Sequence, residues 1–189
     1  MLNLIPEIIA VITAILYLVL AAKEDIKCWY TALISSSLYF FIMLEAGLLM
    51  EAILQIFYII MAIYGWNQWN KVSNEECVIR IKKWKKIQHV YAISLIVLLA
   101  IISGEILDKY TNAVYPFLDA FTTFGAIITT YMVAKKIIEN WIYWFVIDSI
   151  SIYLFFSREL YLTSLLFFIY LIIIIFGYKS WNKKLQEYS

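Results

Sequence analysis

The chain has 189 residues, of which 64% are hydrophobic, 18% aromatic and 15% charged, with a mean hydropathy of +0.82. A soluble domain averages about half apolar and about a quarter charged residues, so a single water-excluding core cannot hide this surface and lipid must solvate much of it. The net charge of +1 argues neither for nor against nucleic acid, and no nucleic-acid partner is expected; two cysteines, Cys28 and Cys77, exclude a disulfide framework.

A bilayer core demands about 20 apolar residues per helix, because each residue rises about 1.5 Å and backbone polar groups must bond internally. On that ruler seven spans follow in chain order, at 4–22, 29–46, 48–66, 88–106, 115–134, 141–157 and 160–178. The first lacks a basic leader, since Met1 to Glu7 contains no Lys or Arg, and reads as a retained helix rather than a cleaved signal. Glu45-Ala46-Gly47 and Ser157-Arg158-Glu159 read as tight hairpin turns between spans two and three and between six and seven. Lys23 and Lys27 follow span one, and Lys71, Arg80, Lys82, Lys83, Lys85 and Lys86 follow span three. Lys135 and Lys136 follow span five, and Lys179, Lys183 and Lys184 span seven. Opposite lie Glu45, Glu51, Glu105 and Asp108, with only Lys109 and Arg158. Positive charge concentrates on the cytoplasmic side, so the N-terminus is expected outside and the C-terminus, with both cysteines, in the reducing cytoplasm. The stretch Val78–Ile87 reads as a basic amphipathic helix lying on the inner leaflet, the alternative being a solvated loop whose lysines set topology.

Sliding the chain by 112 positions aligns its two ends without a gap. Glu7 falls on Asp119, Ala22-Lys23 on Ala134-Lys135, Trp29 on Trp141, Tyr58 on Tyr170 and Gly65 on Gly177. Trp69-Asn70-Lys71 falls on Trp181-Asn182-Lys183. Coincidence of leucines would mean little; coincidence of Trp, Gly, Asn and Lys at one offset predicts two three-helix units. The fold expected is an all-α integral membrane bundle of seven helices arranged 3+1+3, with residues 1–71 and 113–189 as the repeats and 72–112 as basic loop and connector. Because one helix joins the units, they are parallel about an axis along the membrane normal, the topology of SWEET-type transporters, where the substrate binds between repeats.

An ionisable side chain at a helix centre costs about 2.5–3.5 kcal/mol on insertion scales and is a functional candidate by default. Asp148 lies near the middle of span six, with a protonated, helix-bonded carboxyl as the structural alternative. Tyr143 or Trp144 and Ser151 recur on its face at spacings of three to five. Aromatic rings beside a carboxylate form a box for a cation. The interfacial aromatic belt accounts for Trp66, Trp69, Trp141 and Trp181, and less readily for Trp144. Gln55 lies mid-span in the third helix and is expected to face the bundle, and the lone His89 reads as structural. Glu7 and Asp119 sit near helix ends, where interfacial water solvates them cheaply. No metal-ligand spacing, nucleophile–base pair or phosphate loop appears, so neither a cofactor, a metal nor an enzyme activity is expected.

Tyr64-Gly65-Trp66-Asn67-Gln68-Trp69 resembles the W-x-x-W motif of the PnuC-type vitamin transporter family, and Asn140-Trp141-Ile142-Tyr143-Trp144 resembles its N-x-x-x-W motif. Gln55 matches as well, and the resemblance spans essentially the whole chain. It implies facilitated diffusion of a nucleoside-like vitamin, trapped by a cytoplasmic kinase, with Gln55, Trp66, Trp69, Asn140 and Trp144 lining the path. It also implies a homotrimer in the bacterial inner membrane. Ala62 and Asp148 depart from the Asn that namesake members often carry. The substrate expected is nicotinamide riboside, with thiamine, another fixed cation, as the alternative. A membrane ligand sensor or assembly subunit is the reading from a different class.

Overall fold

The computed structural model describes residues 4–45, 49–70, 80–111, 114–157 and 161–187. It contains seven helices: α1 (Leu4–Ala22), α2 (Cys28–Glu45), α3 (Leu49–Asn70), α4 (Lys86–Tyr110), α5 (Pro116–Ala134), α6 (Asn140–Ser157) and α7 (Tyr161–Glu187). The two expected hairpin turns, together with Lys71, Cys77, Val78 and Ile79, lie wholly or partly outside the described residues. Three helices outrun the apolar ruler: α3 continues through Asn67–Asn70, α4 to Tyr110 and α7 to Glu187. The ruler measures hydrocarbon, whereas a helix stops only where its backbone is capped or broken, and no Pro or Gly interrupts these polar ends.

Stretches of α1, α4, α5 and α7 are each long and apolar enough to cross a membrane. Ile5, Ile12 and Leu16 on α1, and Ile93, Leu98 and Ile102 on α4, point outward, as lipid-facing positions require. Consecutive helices pack as α1–α2–α3 and α5–α6–α7; α3 then packs on α5, and α7 on α1. Six helices thereby close into a ring, with α4 outside it against α5. The α4 contact is a stripe of Ala92, Ile96, Ala100 and Gly104, where the missing Gly104 side chain admits the Phe117 ring.

Helices α1 and α5 end in the same motif 112 positions apart. The Glu24 N–H donates to the Ala21 carbonyl and the Asp25 N–H to the Leu20 carbonyl, both at 3.0 Å. Lys136 donates to Val133 at 3.0 Å and Ile137 to Met132 at 2.9 Å. These are Schellman caps, whose pivotal residue takes a left-handed conformation that favours glycine. Here the pivots are Glu24 (φ 59°) and Lys136 (φ 52°).

The segment expected to be an amphipathic surface helix is not one where it is described. Arg80 to Lys85 run extended, and the Lys82 N–H donates to the Lys136 carbonyl while the Ile138 N–H donates to the Lys82 carbonyl, both at 3.0 Å. Ile81 is buried in the core, and the Trp84 N–H donates to the Glu139 carboxylate at 3.3 Å. Its apolar residues suit an extended strap as well as a helix. The α5–α6 turn offers free backbone groups that an extended chain can satisfy and a helix cannot.

The belt reading is also corrected for three tryptophans. Trp69, Trp141 and Trp181 are buried, and with Trp29 they form a continuous stack at the lysine-rich end of the ring. Trp29 meets Trp69 edge to face at 5.5 Å and 87°, Trp141 meets Trp181 at 5.4 Å and 89°, and Trp69 meets Trp181 at 6.4 Å. A Cβ on Gly65 would overlap the Trp29 ring, and one on Gly177 the Trp141 ring. Each half therefore seats an indole where the other half's alignment partner also lacks a side chain.

Candidate functional site

One face of α6 carries Asn140, Trp144, Asp148 and Ser151 at steps of four, four and three residues, which a helix places in line. Asn140 opens the helix fully buried; its amide N–H donates to the Ile137 carbonyl at 2.6 Å, while its side-chain oxygen has no partner. Trp144 is partly buried against the core. Asp148 is 3% exposed and its carboxyl forms no hydrogen bond or ion pair with any described residue. Ser151 is buried and its hydroxyl donates back to the Ile147 carbonyl at 3.0 Å.

Asp148 bears electrostatically on Tyr58 of α3 and on Tyr170 of the adjacent α7. Tyr58 is in turn within range of Tyr17 on α1, which neighbours Cys28; Tyr170 is within range of Tyr39 on α2, and Tyr39 of Glu7. Asp148, Tyr58, Tyr17, Tyr170 and Tyr39 are thus an electrostatically linked set of polar side chains drawn from α6, α3, α1, α7 and α2. Polar groups left unpaired deep in an apolar bundle are costly, about 1–3 kcal/mol each by mutational measure, so such a set is suited to a polar solute or to water. Tyr17, Tyr39, Tyr58 and Tyr170 were not singled out as site residues from the sequence. The Tyr58/Tyr170 match at one offset was the available signal, and it marks the position without saying which way the rings point.

The other expected residues lie off this face of α6. Gln55 is partly buried on α3, one turn from Tyr58, its amide without a partner among the described residues. Tyr143 turns toward α4, with its hydroxyl 2.9 Å from His89 Nδ1, and His89 Nε2 is 3.9 Å from the Glu139 carboxylate. Trp66 faces Tyr30 at 6.2 Å across a groove of about 150 Å³ lined by Trp29, Tyr30, Leu33, Ala62, Ile63 and Trp66. Tyr30 and Ile63 are half exposed, so this groove opens to the outside of the ring. Trp69 belongs to the indole stack, and its N–H donates to the Ala134 carbonyl at 3.2 Å.

An apolar exterior around a closed ring of helices with buried polar side chains defines a multi-pass membrane protein. The family described as nicotinamide mononucleotide transporter matches residues 4–183, and the chain belongs to it. The chain is 24% identical to the nicotinamide riboside transporter PnuC of Escherichia coli, over 96% of this chain and 86% of that protein. It is 24% identical to the riboflavin/roseoflavin transporter RibM of Streptomyces davaonensis, over 64% of this chain and 58% of that one. A crystal structure of the vitamin B3 transporter PnuC shares the fold, with a TM-score of 0.74 and 24% identity over 96% of this chain and 82% of that chain. The family and these relatives are transporters, not enzymes.

Proposed function

We propose that the protein is a vitamin-uptake facilitator whose substrate is nicotinamide riboside, bound inside the helix ring with its cationic ring beside Asp148. The observation that carries this reading is the buried Asp148 carboxyl, without a hydrogen bond or ion pair among the described residues, which shares its helix face with Trp144 and Ser151 and bears electrostatically on Tyr58 and Tyr170. A carboxylate removed from water demands a cation or strong donors. A fixed cation stacked on desolvated aromatic rings gains about 2 kcal/mol. Nicotinamide riboside supplies both, and the named function of the E. coli relative favours it. Thiamine, also a fixed cation, is the alternative; riboflavin, the substrate named for RibM, is neutral and leaves the carboxylate without a partner. Asn140 and Gln55, each with free amide capacity, are the hydrogen-bonding residues of the site, and Trp144 is its stacking platform.

The ring is read as two parallel three-helix repeats about an axis along the membrane normal, passing between Trp69 and Trp181, the one pair of counterpart rings in contact among the described residues. Rocking of one repeat against the other gives alternating access to a site at mid-membrane. The lysine-rich end is the cytoplasmic end, which puts the N-terminus outside. Facilitated diffusion accumulates nothing by itself, so a cytoplasmic kinase that phosphorylates the vitamin completes uptake. The outward apolar face of α4 is available for a homotrimer in the inner membrane.

Exchange of labelled nicotinamide riboside in proteoliposomes, with thiamine and riboflavin as competitors, tests the reading. Saturable counterflow inhibited by nicotinamide riboside supports it, and inhibition by thiamine alone moves the protein to that substrate. Saturable binding without exchange would make it a sensor instead.

A further inference from the structure

The lysine-rich end of the ring is closed by more than the stacked indoles. Lys136 Nζ donates to Glu24 Oε2 at 2.8 Å, and Lys184 Nζ stands 2.9 Å from Glu24 Oε1 as an ion pair without hydrogen-bond geometry. Lys184 also donates to the Lys23 carbonyl at 3.3 Å, and Lys135 donates to the Gln68 side chain at 3.0 Å. Beneath them the Trp69 N–H donates to the Ala134 carbonyl at 3.2 Å and the Trp181 N–H to the Ala21 carbonyl at 3.0 Å. Lys136 Nζ also stands 4.7 Å above the Trp69 ring. Each of these contacts ties α1–α3 to α5–α7.

Two features set Glu24 apart among them. Its side chain is 10% exposed and that of Lys136 13%, so the pair is held largely out of water. Glu24 and Lys136 are also the two left-handed cap pivots, 112 positions apart. Glycine would take that conformation without strain. Opposite charges stand at equivalent places in the two halves, where two like charges would repel.

We propose that Glu24, shared by Lys136 and Lys184, is the latch of a gate at the lysine-rich end of the ring, and that parting these three side chains opens the path to that side. The proposal rests on the transport reading for its purpose, but its test needs no substrate. Cys28 is fully buried just inside the latch and is a built-in reporter. In a Cys77→Ser background, oriented membrane vesicles are treated with a membrane-impermeant thiol reagent from either side, and the labelling rate of Cys28 is measured. Hydrogen bonds between charged groups are about twice as strong as neutral ones, so Glu24→Gln is expected to speed labelling about tenfold, from the lysine-rich side only. Lys136→Gln combined with Lys184→Gln should match it, and adding Glu24→Gln to that pair should change nothing further, because one carboxylate serves both lysines. Unchanged labelling in Glu24→Gln overturns the latch, as does faster labelling from both sides together with a lower melting temperature, which is loosened packing. Failure of vitamin exchange with these labelling results intact would instead overturn the transport reading alone.

Discussion

Replacing Asp148 by Asn keeps the shape of the side chain and removes only its capacity for charge. A cation about 4 Å from a carboxylate gains about 4 kcal/mol at an effective dielectric of about 20. The solute gives up hydration to reach it, and hydrogen bonds to charged groups net about 1.5–3 kcal/mol. Asp148→Asn is therefore expected to weaken nicotinamide riboside binding about 10- to 100-fold. The reduced form of the same riboside has no fixed charge and matched shape, so its affinity should change less than about threefold. Tryptophan fluorescence quenching of the purified protein, with both ligands side by side, reads this difference directly. The variant should melt no lower than the parent, because the carboxyl it loses has no partner among the described residues. Equal weakening of both ligands would refute the reasoning, since it would mean that the substitution disturbed packing rather than charge. No weakening of either would place the cation elsewhere.

Gly65→Ala and Gly177→Ala each push a methyl into an indole ring and should cost about 1–3 kcal/mol or more; melting temperatures that fall for both support equivalent environments, and a neutral result at either position counts against them. Tyr143→Phe removes the hydroxyl bonded to His89 at 2.9 Å and should leave vitamin affinity within about twofold of the parent; a loss of tenfold or more in the same quenching titration would return Tyr143 to the site. Trp144→Leu removes the stacking ring of α6 and is expected to lower affinity for the cationic vitamin about tenfold or more, in keeping with about 2 kcal/mol for a desolvated cation–ring contact, and unchanged affinity would remove it from the site.

Seven helices and a lysine-rich end were legible because the bilayer ruler and the clustering of lysines depend on composition over long windows, not on which neighbour a side chain meets. The site was legible only in part. Asn140, Trp144, Asp148 and Ser151 share a helix face by spacing alone, and the fold keeps them in line. Tyr143 and Trp144 stood as equal alternatives; one residue turns a helix by about 100°, and that turn sends the Tyr143 ring to His89. Trp141 and Trp181 looked like belt residues because an indole at a span end is the same in sequence whether it faces headgroups or another indole. The distinguishing clue was Gly65 and Gly177, since a ring and a missing side chain repeat together at one offset. The basic strap was misread because Ile81 and Trp84 satisfy a helical face and an extended edge equally well.

The two halves of the ring divide the labour in a way that bears on which residues meet the solute. Where they agree, at Trp29/Trp141, Gly65/Gly177 and Trp69/Trp181, the side chains build the indole stack and tie the halves together. Where they differ, the polar interior changes character: Cys28 stands opposite Asn140, Ala32 opposite Trp144, Ser36 opposite Asp148, Tyr39 opposite Ser151 and Gln55 opposite Phe167. A riboside has no twofold symmetry, so it cannot meet both halves alike, and its ends must be told apart by residues that the halves do not share. Trp69 has a counterpart in Trp181 with the same use, an indole N–H spent on a backbone carbonyl of the other half. Its indole is thereby held in the stack, whatever its ring face meets on the path that its motif implies. Asn140, Trp144, Asp148 and Gln55 are each without a like counterpart, and on the proposed reading recognition falls to them.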